Sequence, residues 1–177
     1  MSAIMFSASR QRGVGMVEIL IALLVVAVGV LGYAGMQLYA LRGAEDASYR
    51  TIATLIARDG LERTLINENP DAYAIYFDEG QWPDAPVARG GAYPNTCIGN
   101  NVCNPQQAAN ADINELAWLA ANSLPNGMVM GRDDCAGPLT PSCLVVSWGE
   151  TTVPSDCVGA GGIDPDSACV VLEVLRP

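Results

Sequence analysis

Residues 19–41 form a run of 23 residues without one charged side chain. At about 1.5 Å per residue, a helix of that length spans roughly 35 Å, enough to cross a bilayer. The flanks of the run are as informative as its length. Arg10 and Arg12 precede it, then Gly13-Val14-Gly15, and a lone carboxylate, Glu18, stands at its edge. An ionised carboxylate is costly there; near a bilayer centre insertion scales put it at about 2.5–3.5 kcal/mol, so such a group usually has a partner.

The segment from Arg10 to Glu18, with the apolar run behind it, resembles the processing site of the type IV pilin superfamily. The resemblance implies that a prepilin peptidase cuts after Gly13 and that Val14 becomes the N-methylated N-terminus. It makes Glu18 the fifth mature residue, the carboxylate that neutralises a neighbouring subunit's N-terminus during assembly. The implied fold is α+β: a long N-terminal helix, half membrane anchor and half amphipathic, packed on a small antiparallel sheet with disulfide-bonded loops. The implied divisions are a leader at 1–13, a transmembrane or filament-core half-helix at 14–41, an amphipathic half at 42–69 and an exported globular part at 70–177. Met5 is an alternative start that leaves the cleavage site unchanged.

The rival reading at this end is a secretory signal peptide. Arg10 and Arg12 give its basic region, residues 19–31 its apolar core, and Gly32-Tyr33-Ala34 a small-x-small cleavage pattern. Glu18 abutting the core, and apolar residues continuing to Leu38 and Leu41, argue against it.

All nine basic residues are arginine, with no lysine or histidine, against nineteen acids. Loss of the leader leaves seven arginines and a formal side-chain charge near −12. An acidic chain argues against binding a nucleic-acid backbone, so no nucleic-acid partner is expected. A basic leader before an apolar helix fits a cytoplasmic N-terminus and an exported remainder.

Six cysteines, Cys97, Cys103, Cys135, Cys143, Cys157 and Cys169, all lie beyond the apolar run. An even number in an exported domain reads as three disulfides, although six cysteines allow fifteen pairings. Pairing in chain order is preferred, because each pair brackets a Gly/Pro/Asn-rich loop. With no histidine and no C-x-x-C spacing, zinc or iron–sulfur ligation is not expected, and no cofactor is assigned. Calcium is weighed at Asp164 and Asp166 with Asp156, or at Asp133-Asp134, against the commoner reading of solvated turn residues.

The helix is expected to run from Val14 to Ile66. Leu38, Leu41, Tyr49, Ile52, Leu55, Ile56 and Ile66 share one stripe, interrupted by Glu45, Asp59 and Arg63. Asp46–Arg50 and Asp59–Arg63 are i,i+4 pairs that support helix on the outer side. Gly29, Gly32 and Gly35 form a ladder that permits close helix packing at about 1 kcal/mol per glycine. Asn67, Asn69 and Pro70 end the helix. Residues 69–104 read as mostly loop. A short helix is expected over 112–124, capped by Asp112, with Ile113, Leu116, Leu119 and Ala120 on one face and Trp118 against the sheet. Strands follow at 127–131, 143–150 and 168–175. Such strands bury one face against the amphipathic half of the long helix.

Residues 18–32, the Leu-Pro-Asn-Gly segment at 124–127 and Val146-Ser147-Trp148 resemble the minor pilins of the PilV group, the type IV pilus modification proteins. That likeness implies a low-abundance subunit that helps initiate pilus assembly, contacts other minor pilins and the major pilin through its N-terminal helix, and supports motility or adhesion. It would reside in the inner membrane before incorporation into an extracellular pilus. In secretion pseudopili the outermost subunit lacks the glutamate, so Glu18 places this chain beneath at least one other subunit. The alternatives are a minor pseudopilin of a type II secretion system and a helix-tethered adhesin with an exposed Trp82 and Tyr93. An enzyme is not expected: there is no histidine for acid–base work, no G-x-S-x-G and no phosphate-binding glycine loop.

Overall fold

The computed structural model describes residues 13–94, 96–99, 102–133, 135, 141–150, 153–159, 162–163 and 167–174. The chain divides into two units, residues 1–44 and residues 45–177. Helix α1, Met16–Ile66, supplies residues to both.

In the first unit every described residue is exposed. The helix starts at Met16, two residues later than the expected Val14, and Gly13 to Gly15 lie outside it. Leu20, Leu23, Leu24, Val25 and Leu31 are each at least 61% exposed, so among the described residues the apolar run packs on nothing. A Cβ placed on Gly29, Gly32 or Gly35 would meet no atom within 4 Å.

The second unit is an α+β domain. After α1 come α2 (Pro70–Tyr76), α3 (Pro105–Ser123), β1 (Met128–Arg132), β2 (Ser142–Ser147), β3 (Val158–Gly159), β4 (Gly162–Ile163) and β5 (Cys169–Val174). Single 3-10 turns occupy Glu79–Gln81 and Pro154–Cys157. The main sheet has the order β1-β2-β5 and is antiparallel throughout, with Val129 opposite Val146 and Leu144 opposite Leu172. β3 and β4 form a separate two-stranded hairpin.

All six residues of the central strand β2 are buried, so both faces of the sheet are covered. Successive strand residues point to opposite faces. Leu144 and Val146 join the main core with Ala53, Ile56 and Ala57 of α1, Tyr76, and Ile113, Leu116 and Ala120 of α3. Cys143 and Val145 face a second, smaller core with Cys135, Cys157, Val158 and Cys169. The sequence reading anticipated only the first layer. The second is built around two disulfides, Cys135–Cys143 and Cys157–Cys169, while Cys97–Cys103 closes an exposed loop.

Several elements depart from expectation for local reasons. Residues 69–104 contain a helix, because Asn69 caps α2 through the Asp71 and Ala72 N–H groups and Pro70 sits at its first position. Proline there forfeits a hydrogen bond the helix would not have made. The next helix starts at Pro105, not at 112: Asn104 and Gln107 form a reciprocal capping box. Asp112 therefore lies in mid-helix. The buried face of α3 also contains Ala109, Ala117 and Ala121, while Leu119 is half-buried. Trp118 packs away from the sheet, its indole N–H donating to the Gly91 carbonyl at 2.8 Å and its ring edge-on to Tyr93. Trp148 and Trp82 are the tryptophans of the main core. Trp82 is 3% exposed and donates to the Tyr76 carbonyl, which removes it from any adhesive surface.

The packing face of α1 is narrower and smaller than the predicted stripe. Ala53, Ile56, Ala57, Gly60 and Thr64 are buried, whereas Leu55 and Ile66 are exposed. The absence of a side chain at Gly60 leaves a notch. A Cβ there would stand 2.9 Å from Leu144 Cδ1 and 3.3 Å from Leu116 Cδ1, so sheet and α3 both reach into it.

Candidate functional site

Of the sequence-predicted site residues, Gly13, Val14 and Glu18 belong to the first unit and the six disulfide cysteines to the second. Gly13 and Val14 are exposed and outside helix, an arrangement open to a peptidase. Glu18 lies in the first turn of α1, and its N–H reaches the Gly15 carbonyl at 2.9 Å. A carboxylate in the first turn faces the positive end of the helix dipole, worth roughly 0.3–1 kcal/mol. Its side chain is exposed, and no ion pair to it occurs among the described residues. α1 is the one helix among the described residues long and apolar enough to cross a membrane, by length and composition.

The globular unit also holds a polar cluster that sequence reasoning missed. Arg63, expected on the outer side of α1 with Asp59, meets that acid and two more on α3. Its Nη1 donates to Asp112 Oδ1 at 2.8 Å, its Nη1 and Nη2 to the two Glu115 oxygens at 3.0 and 2.9 Å, and its Nε to Asp59 at 3.1 Å. The Tyr76 hydroxyl donates to the other oxygen of Asp112. One guanidinium thus ties α1 and α3 together, and Asp112 adds α2. The fork geometry of arginine suits this bidentate grip on Glu115.

The electrostatics follow from those contacts. Hydrogen bonding to Glu115 above all, with Asp59 and Asp112, raises the Arg63 pKa beyond its ordinary value despite its burial. Arg63 in turn holds the Glu115 carboxyl below the usual carboxylate range. Burial, then the bond to Asp112, pushes the Tyr76 phenol up. Tyr93 is also raised, through its hydrogen bond to Glu115. The signal in the sequence was present: Asp59 and Arg63 interrupt the apolar stripe, and a charge on a buried stripe calls for partners.

No family model, no curated protein and no solved structure matches the chain. The chemistry of the residues must therefore carry the functional reading.

Two further arginines have tasks that spacing alone did not reveal. Arg89 donates to the Ala121 and Leu124 carbonyls at 3.0 and 2.8 Å, closing the C-terminal end of α3. Arg50, spaced to pair with Asp46, lies over the Trp148 ring with its guanidinium carbon 5.5 Å from the centroid.

Of the acidic residues weighed for calcium, Asp133 accepts a hydrogen bond from Ser142 at 2.5 Å and Asp156 is exposed in a 3-10 turn. Asp134, Asp164 and Asp166 lie outside the described residues, as do Arg10 and Arg12 of the leader. Among the described residues no group of three or more metal-ligating side chains is placed to hold an ion.

Proposed function

We propose that this chain is a minor subunit of a type IV pilus-like filament, with a structural rather than catalytic task. The observation that carries the reading is the contrast within α1. Residues 16–41 are apolar and exposed on all sides, with one carboxylate in the first turn, whereas residues of the distal part are packed into a disulfide-bonded domain. A bare apolar helix needs a bilayer or other helices around it.

In this proposal, prepilin peptidase cuts after Gly13, and Val14 becomes the methylated N-terminus. The helix holds the subunit in the inner membrane, with residues 45–177 exported, until assembly moves it into the filament core. There Glu18 meets the N-terminal amine of a neighbouring subunit, where pairing offsets the cost of a carboxylate in apolar surroundings. The other minor pilins and the major pilin are the partners, in keeping with the resemblance of the sequence to the PilV group.

The test is incorporation. Glu18→Ala in the native host is expected to lower the amount of this subunit in sheared filaments, or the number of filaments, by about tenfold, corresponding to roughly 1.4 kcal/mol. Membrane levels of the subunit should stay unchanged. Normal filaments containing the variant at wild-type levels would remove Glu18 from assembly.

A further inference from the structure

A groove of about 790 Å³ opens in the globular unit where α1 ends and α2 begins. Its size falls in the range of pockets that enclose a ligand or an anchoring side chain. The filament proposal makes no use of it, and the inference that follows does not depend on that proposal.

The walls of the groove combine aromatic and acidic side chains. Half-buried Tyr73 on α2 lines the groove, backed by Phe77 at the helix C-cap, which is buried, with the two ring centroids 4.6 Å apart at 44°. Beside these rings stand three carboxylates, Glu68, Asp78 and Asp133, and no arginine is among the lining residues described. Two of the acids are fixed in place. Asp78 accepts from the Gly80 N–H at 3.0 Å and from Gln81 at 3.1 Å. Asp133 accepts from Ser142, whose oxygen in turn accepts from the Tyr73 hydroxyl at 3.3 Å.

Aromatic faces rimmed by carboxylates complement a cation on an apolar stem. A planar guanidinium matches both parts, because it stacks on an aromatic ring while its fork of donors meets carboxylates. A second copy of this chain is a poor occupant, since its formal net charge is −10 and two copies repel. We propose that the groove docks an arginine-bearing segment of a different protein chain, with the guanidinium between the Tyr73 ring and the acidic rim. The apolar neighbours of that arginine lie along Leu65 and Pro70.

Titration calorimetry on the full chain in detergent micelles tests this. The probe is the capped pentapeptide Gly-Leu-Arg-Leu-Gly, and its control carries citrulline, a neutral isostere, at the central position. Saturable binding of the arginine peptide is expected, with a loss of about five- to tenfold on change to citrulline, the sum of one cation–aromatic contact and one exposed ion pair. Ala74 is exposed and lines the groove. Ala74→Trp should therefore fill the space and abolish binding while leaving the unfolding midpoint unchanged, and Glu68→Gln should weaken binding alone. Equal binding of the two peptides, unaltered binding by Ala74→Trp, or no binding of the arginine peptide would each overturn the proposal. Displacement of the peptide by free arginine amide at equal concentration would reassign the groove to a small cation and likewise overturn docking of a chain.

Discussion

The two halves of α1 obey the same helical geometry and meet opposite surroundings. Residues 16–44 expose leucine and valine on every side, while residues 45–66 bury a strip of mostly small residues, Ala53, Ala57, Gly60 and Thr64, with Ile56 the one large side chain among them. The difference lies in side-chain size more than in hydrophobicity. A helix that seats against a sheet and a second helix presents Ala53, Ala57 and Gly60, into which Leu144 and Leu116 fit. A helix made for lipid or for other subunits keeps large apolar groups all round. Helix continuity says nothing about this change; the environment each half is built for does.

Glycine substitutions break the comparison most sharply. A Cβ on Gly131 would stand 1.9 Å from the Tyr76 carbonyl oxygen, which also accepts the Trp82 indole N–H. Backbone cannot yield as a side-chain end does, so Gly131→Ala is expected to cost about 3 kcal/mol or more. Urea unfolding of the full chain in detergent, followed by the fluorescence of the buried Trp82 and Trp148, measures it. An unchanged midpoint would show that β1 and α2 are not packed as described.

The Arg63 cluster gives an intermediate effect. Arg63→Ala leaves Asp59, Asp112 and Glu115 facing one another without their cation, at an expected cost of about 2–3 kcal/mol after allowance for partial exposure. The pH dependence sharpens this. Glu115 is held below its ordinary value by Arg63, so its contribution is present above the unfolded value and is lost as pH falls through the folded one. That loss starts near the ordinary glutamate value of about 4.3. In Arg63→Ala this part of the acid destabilisation should disappear, as the wild type and variant converge at low pH.

The smallest effect belongs to the first unit. Gly29→Ala adds a methyl that meets nothing within 4 Å. It should leave unfolding of the globular unit, read by near-ultraviolet circular dichroism, within about 0.5 kcal/mol of wild type. A larger shift would mean that the two units are energetically joined.

Much of the layout was legible in the sequence. The apolar run, the three main strands and the end of α1 at Ile66 follow from local pattern, and the cysteines pair in chain order, the preferred arrangement. The omissions share a physical cause. Asn69-Pro70 and Asn104-Pro105 each start a helix, but asparagine and proline also end one, so the same residues were read as loop. Asp112 looked like a cap because its partners, Arg63 and Tyr76, lie 49 and 36 residues away. The second face of the sheet was hidden for the same reason. Cysteines and valines at 143, 145 and 169 look outward until Cys135 and Cys157 are brought against them. Long-range pairing, unlike helix period or capping, leaves no local trace. The proposed processing site at Gly13, Val14 and Glu18 rests on near-consecutive residues, so that reading, unlike the Arg63 cluster, needs no long-range contact.

The central claim is that the leader is removed after Gly13 and the apolar helix retained. Mass spectrometry of the mature N-terminus, on protein from its native host, tests it directly. The account predicts a chain that begins at Val14 and carries an N-methyl group. A chain that begins near Gly35 would mean a cleaved secretory signal, a soluble exported domain and no place in a filament core.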